Sequence, residues 1–197
     1  MNASHAESTA TSTEGPTRMV RPGEKVPGMR ETGVVNHLIA RIGAKVQGTE
    51  TMGVFSTIGR ARRMFVPWLV YSATMMPFGY LSRKETELVI LRVAHLKGSE
   101  YEAAHHRKLG ASVGLSAEEI TAMEGESHGQ TRRRGVILDA AEQIVLEGEV
   151  DESTWSALAS YLSDREIVAL VMLVTNYAGL ATALSVLGTP VDRKRNR

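Results

Sequence analysis

Four times between residues 82 and 166 a serine is followed three positions later by a glutamate, and this spacing constrains the chain more than any other feature. The pairs are Ser82/Glu85, Ser99/Glu102, Ser116/Glu119 and Ser163/Glu166. In a capping box the serine oxygen accepts from the amide three residues on, while the glutamate reaches back to the serine amide. Two donors orphaned at a helix start are satisfied together. Each pair precedes a helix-compatible stretch, and Gly98 and Gly114 stand just before two of them, where a preceding helix favours glycine at its end. These signals predict an all-α chain with helices at roughly 34–46, 52–62, 65–76, 83–97, 100–113, 117–124, 132–147, 152–161 and 164–187. Pro67 is expected in the first turn of its helix and Pro77 at the exit. No segment recurs at a fixed period, which argues against a solenoid.

The 197 residues, 43% of them hydrophobic, suffice for one domain with a real core. Residues 1–28 are rich in Ser, Thr, Glu, Gly and Pro without apolar periodicity and are expected to be a disordered leader. A helical domain is expected over 29–190, followed by a basic tail at 191–197 whose Arg193-Lys194-Arg195-Asn196-Arg197 reads as a solvated end. The 23 basic and 22 acidic residues nearly cancel, which gives no electrostatic ground for a nucleic-acid partner or an anionic membrane surface. Met1–Thr17 holds no apolar run suited to a signal peptide, so a cytoplasmic protein is expected. With no cysteine, disulfides, thiolate metal sites and thiol nucleophiles are excluded. From Ile167 to Val191 there is no charge, a length that can span a bilayer. Thr175, Asn176 and Tyr177 near its middle, and the soluble character of the other helices, favour a helix buried in a core or subunit interface.

Two helices carry the residues suited to chemistry. Along 83–97, Glu87 falls between Ile90 and Leu91 with Ala94 above it, on the apolar side away from Lys84, Glu85, Arg92 and His95. A carboxylate so placed is either a functional group or one half of a structural ion pair, and both readings stand from this helix alone. In the next helix Glu102 and His106 lie four apart and share a face, an arrangement suited to general acid/base work. Tyr101 lies one step round and could donate to a substrate oxygen. The competing reading keeps Glu102 occupied in the cap of Ser99 and the adjacent His105 and His106 at a surface. A metal site would want a third ligand that the sequence does not place. Trp68 and Trp155 read as packing residues. Met52, Met64, Met75, Met76 and Met172 suggest an adaptable interior or a greasy pocket. Arg132-Arg133-Arg134, at a helix start where cations are unfavourable, reads as a solvated turn, with a subunit or anion contact as the alternative.

The stretch Leu81 to Ala94, with Ser99-Glu-Tyr-Glu102 and His106, resembles the core of the carboxymuconolactone decarboxylase family. Gly114-Leu-Ser-Ala-Glu-Glu-Ile120 is similar to the turn and helix that follow there, and Leu173–Tyr177 through Leu187-Gly188 to the closing helix; the likeness covers roughly residues 50–190. In the alkylhydroperoxidase-D branch the pattern is a glutamate, a Cys-x-x-Cys and a histidine. Here Glu87 and His106 match the ends of that pattern, and Ser99 and Glu102 occupy the cysteine positions. Ala103 stands where thiol-free relatives commonly carry tryptophan. The resemblance implies an alkylhydroperoxidase-D-like helical bundle, assembled as a trimer, hexamer or dimer. It implies acid/base chemistry of decarboxylase, lyase or isomerase type on a small carbonyl or lactone substrate, with Glu87, Tyr101, Glu102 and His106 at the site and neither cofactor nor metal. An inherited label of peroxidase or peroxiredoxin activity would lack its thiols. The alternative is an oligomeric protein that keeps the fold and binds a ligand without catalysis.

Overall fold

The computed structural model describes residues 19–195. They form ten α-helices in the order α1 (Met29–Thr32), α2 (Val34–Gln47), α3 (Gly53–Ile58), α4 (Arg62–Ala73), α5 (Arg83–Leu96), α6 (Glu100–Ser112), α7 (Ala117–Ala122), α8 (Arg132–Leu146), α9 (Glu152–Tyr161) and α10 (Asp164–Leu187). The all-α expectation therefore holds. Among the described residues there is no strand, only a single antiparallel bridge between Thr49 and Lys194.

The serine–glutamate pairs start helices as their spacing predicts, with one informative exception. Ser82 and Ser116 accept from the amides of Glu85 and Glu119, whose carboxylates reach back in turn, and Glu166 accepts from the Ser163 amide. At Ser99 the hydroxyl caps the Glu102 amide at 3.4 Å, but the Glu102 carboxylate makes no return bond. That carboxylate is directed elsewhere.

The first two-helix stretch divides differently from the pattern. The expected helices at 52–62 and 65–76 appear as α3 and α4, separated at Gly59–Ala61. Buried Asn36 of α2 fills the break, its amide donating to the carbonyls of Gly59 at 3.1 Å and Arg62 at 3.3 Å. Pro67 consequently lies inside α4 rather than in its first turn. It deprives the Arg63 carbonyl of a partner, and the helix persists because Phe65 is fully buried and stacks on Trp68.

The main core is built around α5. Leu88, Val89, Ile90, Leu91 and Val93 are at most 1% exposed, and they pack against Ile137 and Leu138 of α8 and Leu170, Leu173 and Val174 of α10. Gly110 lets α6 approach α5 closely. A Cβ there would stand 3.0 Å from Leu115 Cδ1 and 3.8 Å from the Glu87 Cβ. A second, smaller apolar cluster joins Val54, Tyr101 and Leu184 with Met52, Phe55, Ile58, Trp68 and Leu180.

Charged side chains tie these layers at the edges. Arg133 joins Glu85 of α5 at 2.8 Å, Glu166 of α10 at 2.7 Å and the Tyr161 carbonyl at 2.6 Å, while Arg134 meets Glu119 of α7 at 2.6 Å. Arg133 and Arg134 are thus an intrachain clamp rather than a solvated turn, while Arg132 is exposed. Burial works to raise the Glu85 carboxyl, but Arg133 and Ser82 outweigh it and hold it below the usual range. Buried Arg92 bonds Glu142 at 2.6 Å and the carbonyls of Met123, Gly125 and Glu126, fixing the loop after α7.

Other sequence expectations are corrected by exposure. Trp155 is 46% exposed, and Met64 and Met172 face solvent, so these are not core residues. α10 is the one helix among the described residues long and apolar enough to cross a membrane. Its inner face packs on the core, while Val168, Met172, Thr175, Gly179, Thr182 and Val186 line its outer face. The leader residues 1–18 lie outside the described residues, as do tail residues 196 and 197. Residues 22–24 form a 3-10 turn, and Arg21 donates to the Ser185 carbonyl at 3.1 Å. The described part of the basic tail folds back along the loop between α2 and α3. Glu50 N–H donates to the Arg193 carbonyl and Arg195 N–H to the Gly48 carbonyl, both at 3.0 Å. The charged side chains of residues 193–195 remain exposed.

Candidate active site

The side chains singled out on α5 and α6 meet where the two apolar clusters adjoin. Glu87 is wholly buried and splits its carboxylate between two partners: Oε1 faces Arg83 Nη2 at 2.5 Å and Oε2 faces His106 Nδ1 at 2.6 Å. Glu87 is thus an ion-pair partner of Arg83, and its second oxygen holds the His106 imidazole. On the other edge of the ring, Nε2 lies 3.5 Å from Glu102 Oε2. That is an ion-pair distance rather than a hydrogen bond, and it is the direction in which the Glu102 carboxylate turns instead of closing its capping box. Tyr177 of α10 packs edge-on against the ring at 5.3 Å.

Two opposing effects set the charge of His106. Its burial, the larger single influence, works to lower its pKa, but the carboxylates of Glu102 and Glu87 together outweigh this and raise it to about 9. At neutral pH the ring is therefore an imidazolium with two N–H donors. The Tyr177 hydroxyl is pushed well up by burial and by the two carboxylates, so it stays protonated.

Tyr101 is placed beside this group but differently occupied. Its hydroxyl donates to Asp192 Oδ2 at 2.8 Å and accepts from the Val54 N–H at 2.8 Å. Burial and the Asp192 charge push the phenol well above its usual range. With both bonds in place its ring forms part of the wall, and its hydroxyl is committed to the protein. His105, the neighbour of His106, turns to the same aspartate, with Nε2 3.0 Å from Asp192 Oδ2. Asp192 also accepts from the Gly53 N–H at 2.9 Å. Gly53 keeps that contact close, since a Cβ would lie 2.9 Å from Thr189 Cγ2 and 3.2 Å from both Asp192 Oδ1 and the Tyr101 ring. Sequence reading missed Asp192 and His105 as members of the site region. The one signal available was an acidic residue standing alone at the start of a basic run.

A cavity of about 290 Å³ opens against these groups. Glu102, His105, His106 and Tyr101 line one end of it, and Trp68, Met76, Tyr177 and Leu180 belong to the rest. Glu87 stands behind His106, outside the lining. A volume near 300 Å³, mostly apolar with a few convergent polar groups, is that of a small-molecule site. Met52 and Met76 on its wall fulfil the greasy-pocket expectation, and Trp68 lies edge-on to Phe55 at 6.1 Å.

The arrangement of helices is an AhpD-like helical fold. The structure is similar to that of an uncharacterized peroxidase-related protein from Ralstonia eutropha, with TM-score 0.74 and 16% identity over 85% of this chain and 90% of that one. It is also similar to an uncharacterized peroxidase-related protein from a Silicibacter species, with TM-score 0.68 and 17% identity over 91% of this chain and 94% of the other. A protein of unknown function from Agrobacterium tumefaciens, named as a candidate AhpD antioxidant defence protein, gives TM-score 0.58 and 21% identity over 65% and 90% of the two chains. Residues 71–127, which hold Glu87, Tyr101, Glu102 and His106, match the carboxymuconolactone decarboxylase family model. No curated protein matches the sequence of this chain.

Proposed function

We propose that this protein is an acid/base enzyme that moves a proton at a carbon next to a carbonyl in a small ketone- or lactone-like compound. The observation that carries this reading is His106, held by Glu87 through Nδ1 at 2.6 Å, with Glu102 3.5 Å from Nε2 and both His106 and Glu102 on the cavity wall. Glu87 fixes the ring orientation and the imidazolium charge, a positioning role, while Nε2–H is the acid that meets substrate. Glu102 takes the proton from the carbon. The C–H electron pair forms the new carbon–carbon double bond, the carbonyl π pair moves onto oxygen, and oxygen takes the Nε2 proton. Returning the protons at another carbon gives an isomer with no net oxidation, and loss of a leaving group gives a lyase product. The peroxidase-related names of the structural neighbours do not carry over through a thiol route, because Ser99 and Glu102 stand at the cysteine positions and the chain has no cysteine.

Self-association accompanies this reading. Val168, Met172 and Val186 on α10 and Val34, Val35, Leu38, Ile42 and Val46 on α2 are exposed apolar surface that a second copy would cover. Light scattering that finds only monomer at micromolar concentration would remove it. The catalytic reading is tested by His106→Gln, assayed by proton–deuterium exchange into small ketones and lactones. Turnover should fall by roughly 10² to 10⁴ with the helical spectrum unchanged. Full activity in the variant would end the proposal.

A further inference from the structure

The buried residues of α10 recur at spacings of three and four, and Tyr177 is the one among them that carries a polar atom. Its ring meets the His106 ring edge-on, with centroids 5.3 Å apart, and belongs to the cavity wall. The ring alone would satisfy that packing. What it leaves unexplained is the hydroxyl.

The Tyr177 hydroxyl makes no hydrogen bond among the described residues, yet it is not sealed in. The sealed polar atoms without a partner are Arg60 Nε, Ser72 Oγ, Arg83 Nη1 and Asn176 Nδ2. The Tyr177 oxygen is not one of them, so it keeps reachable surface, and the space that Tyr177 lines is the cavity. Its neighbours on the wall are occupied or placed elsewhere. Tyr101 donates to Asp192 and accepts from the Val54 N–H, and His105 is bonded to Asp192. Trp68 packs on Phe55 and Phe65, not on His106. Burial first, then the charges of Glu102 and Glu87, push the Tyr177 phenol well above its usual range, so it stays an O–H donor at ordinary pH.

We infer that Tyr177 is the substrate-oxygen donor of this site: its O–H bonds the same carbonyl oxygen that His106 Nε2 protonates. This rests on the acid/base reading of the cavity and adds a residue to it. When Glu102 takes the proton from carbon, the carbonyl π pair moves onto oxygen and charge develops there. The phenol tightens its hydrogen bond to that oxygen and keeps its own proton, while the proton that is transferred comes from Nε2. A donor aimed at developing charge favours the transition state over the bound ketone. The two tyrosines on the wall thus divide the work, with Tyr101 tied to the tail and Tyr177 turned to the ligand.

Two phenylalanine variants of the full chain test the inference, because each removes one hydroxyl and leaves the ring. In proton–deuterium exchange of cyclohexanone, Tyr177→Phe should lower kcat by about 10² to 10³, the range for loss of one donor to a developing oxyanion. KM should stay within about threefold, and the urea midpoint should not move, since no bond within the fold is lost. Tyr101→Phe strips two hydrogen bonds from the fold and should show the reverse: a lower urea midpoint and the smaller loss of turnover. Infrared difference spectra of cyclohexanone, isotope-labelled at the carbonyl, give a readout that needs no turnover. A hydrogen bond weakens the C=O bond, so the stretch of the bound ketone should lie higher in Tyr177→Phe than in the wild type. His106-dependent exchange that Tyr177→Phe leaves at the wild-type rate, an unmoved carbonyl stretch, or no bound-ketone signal would each overturn the inference. Failure of the acid/base reading looks different: the stretch responds to Tyr177→Phe, but the wild type exchanges no faster than His106→Gln.

Discussion

His105 and His106 are adjacent, both buried, and both held by a carboxylate, yet they belong to two different regions of the molecule. His106 takes its partners from within the α5–α6 pair: Glu87 nineteen residues back and Glu102 one turn back on its own helix. His105 takes its partner from the C-terminal segment, eighty-seven residues away. The first contact is fixed by helix geometry and sits among saturated core packing. The second depends on the tail lying across the α2–α3 loop, where Asp192 also collects Tyr101 and the Gly53 amide. One residue of helix rotation thus separates a group that faces the cavity together with Glu102 from a structural tie whose Nε2 is bonded to Asp192.

The largest effect should come from comparing the two histidines directly. Against the loss of roughly 10² to 10⁴ in turnover for His106→Gln, Asp192→Asn, which loosens His105 and Tyr101 on the wall without altering His106, Glu87 or Glu102, should change turnover by less than about tenfold. Equal losses in kcat for the two variants would erase the distinction between them.

Stability should separate the regions as well. Glu87→Ala leaves both His106 and Arg83 without their buried partner and should cost about 3–5 kcal/mol in urea unfolding. Asp192→Asn keeps part of its bonding and should cost about 1.5–3 kcal/mol. The comparison breaks if the order is reversed.

A pH series sharpens it further. His106 is raised in the folded protein from 6.5 to about 9. A raised cation stabilises the fold fully below its unfolded value, so this contribution is complete below pH 6.5 and is lost as pH rises towards about 9. Roughly 3 kcal/mol should disappear across that window. The same series on His106→Gln should be nearly flat there, and a wild-type slope retained by the variant would assign the effect to another group.

The smallest expected effect concerns the cap. Ser99→Ala should cost about 0.5–2 kcal/mol of thermal or urea stability, with turnover kept, because Ser99 accepts one amide bond at 3.4 Å and Glu102 owes it nothing in return. Loss of activity greater than loss of stability would place Ser99 in the chemistry.

Much of this was readable from local pattern. The four serine–glutamate pairs located α5, α6, α7 and α10 within a residue or two, because a cap is a contact between near neighbours. The four-residue spacing of Glu102 and His106 placed both on one face for the same reason. Asp192 was not readable, since nothing near it in sequence distinguishes it from the acid of a solvated tail. The fate of Tyr101 was hidden with it: a hydroxyl that looked available to substrate is claimed by a residue 91 positions on. The arginine run misled in the same way, because the partners of Arg133 lie 48 and 33 residues off in opposite directions.

By itself, then, the sequence determined the helices, their caps, the identity and register of Glu87, Glu102 and His106, and the absence of thiol chemistry. The helices, the caps and the Glu102–His106 pair follow from residue type and from spacings shorter than about two helical turns, whereas the register of Glu87 against that pair, nineteen residues from His106, came from the family resemblance. Only the tertiary structure decided which carboxylate holds which edge of His106, that Glu102 leaves its capping box to face the ring, that Asp192 returns to close the wall, and that no lysine or arginine lines the cavity. Those are outcomes of packing several helices and a tail together. They turn on distances of an ångström or two between residues whose separation in the chain carries no information about their separation in space.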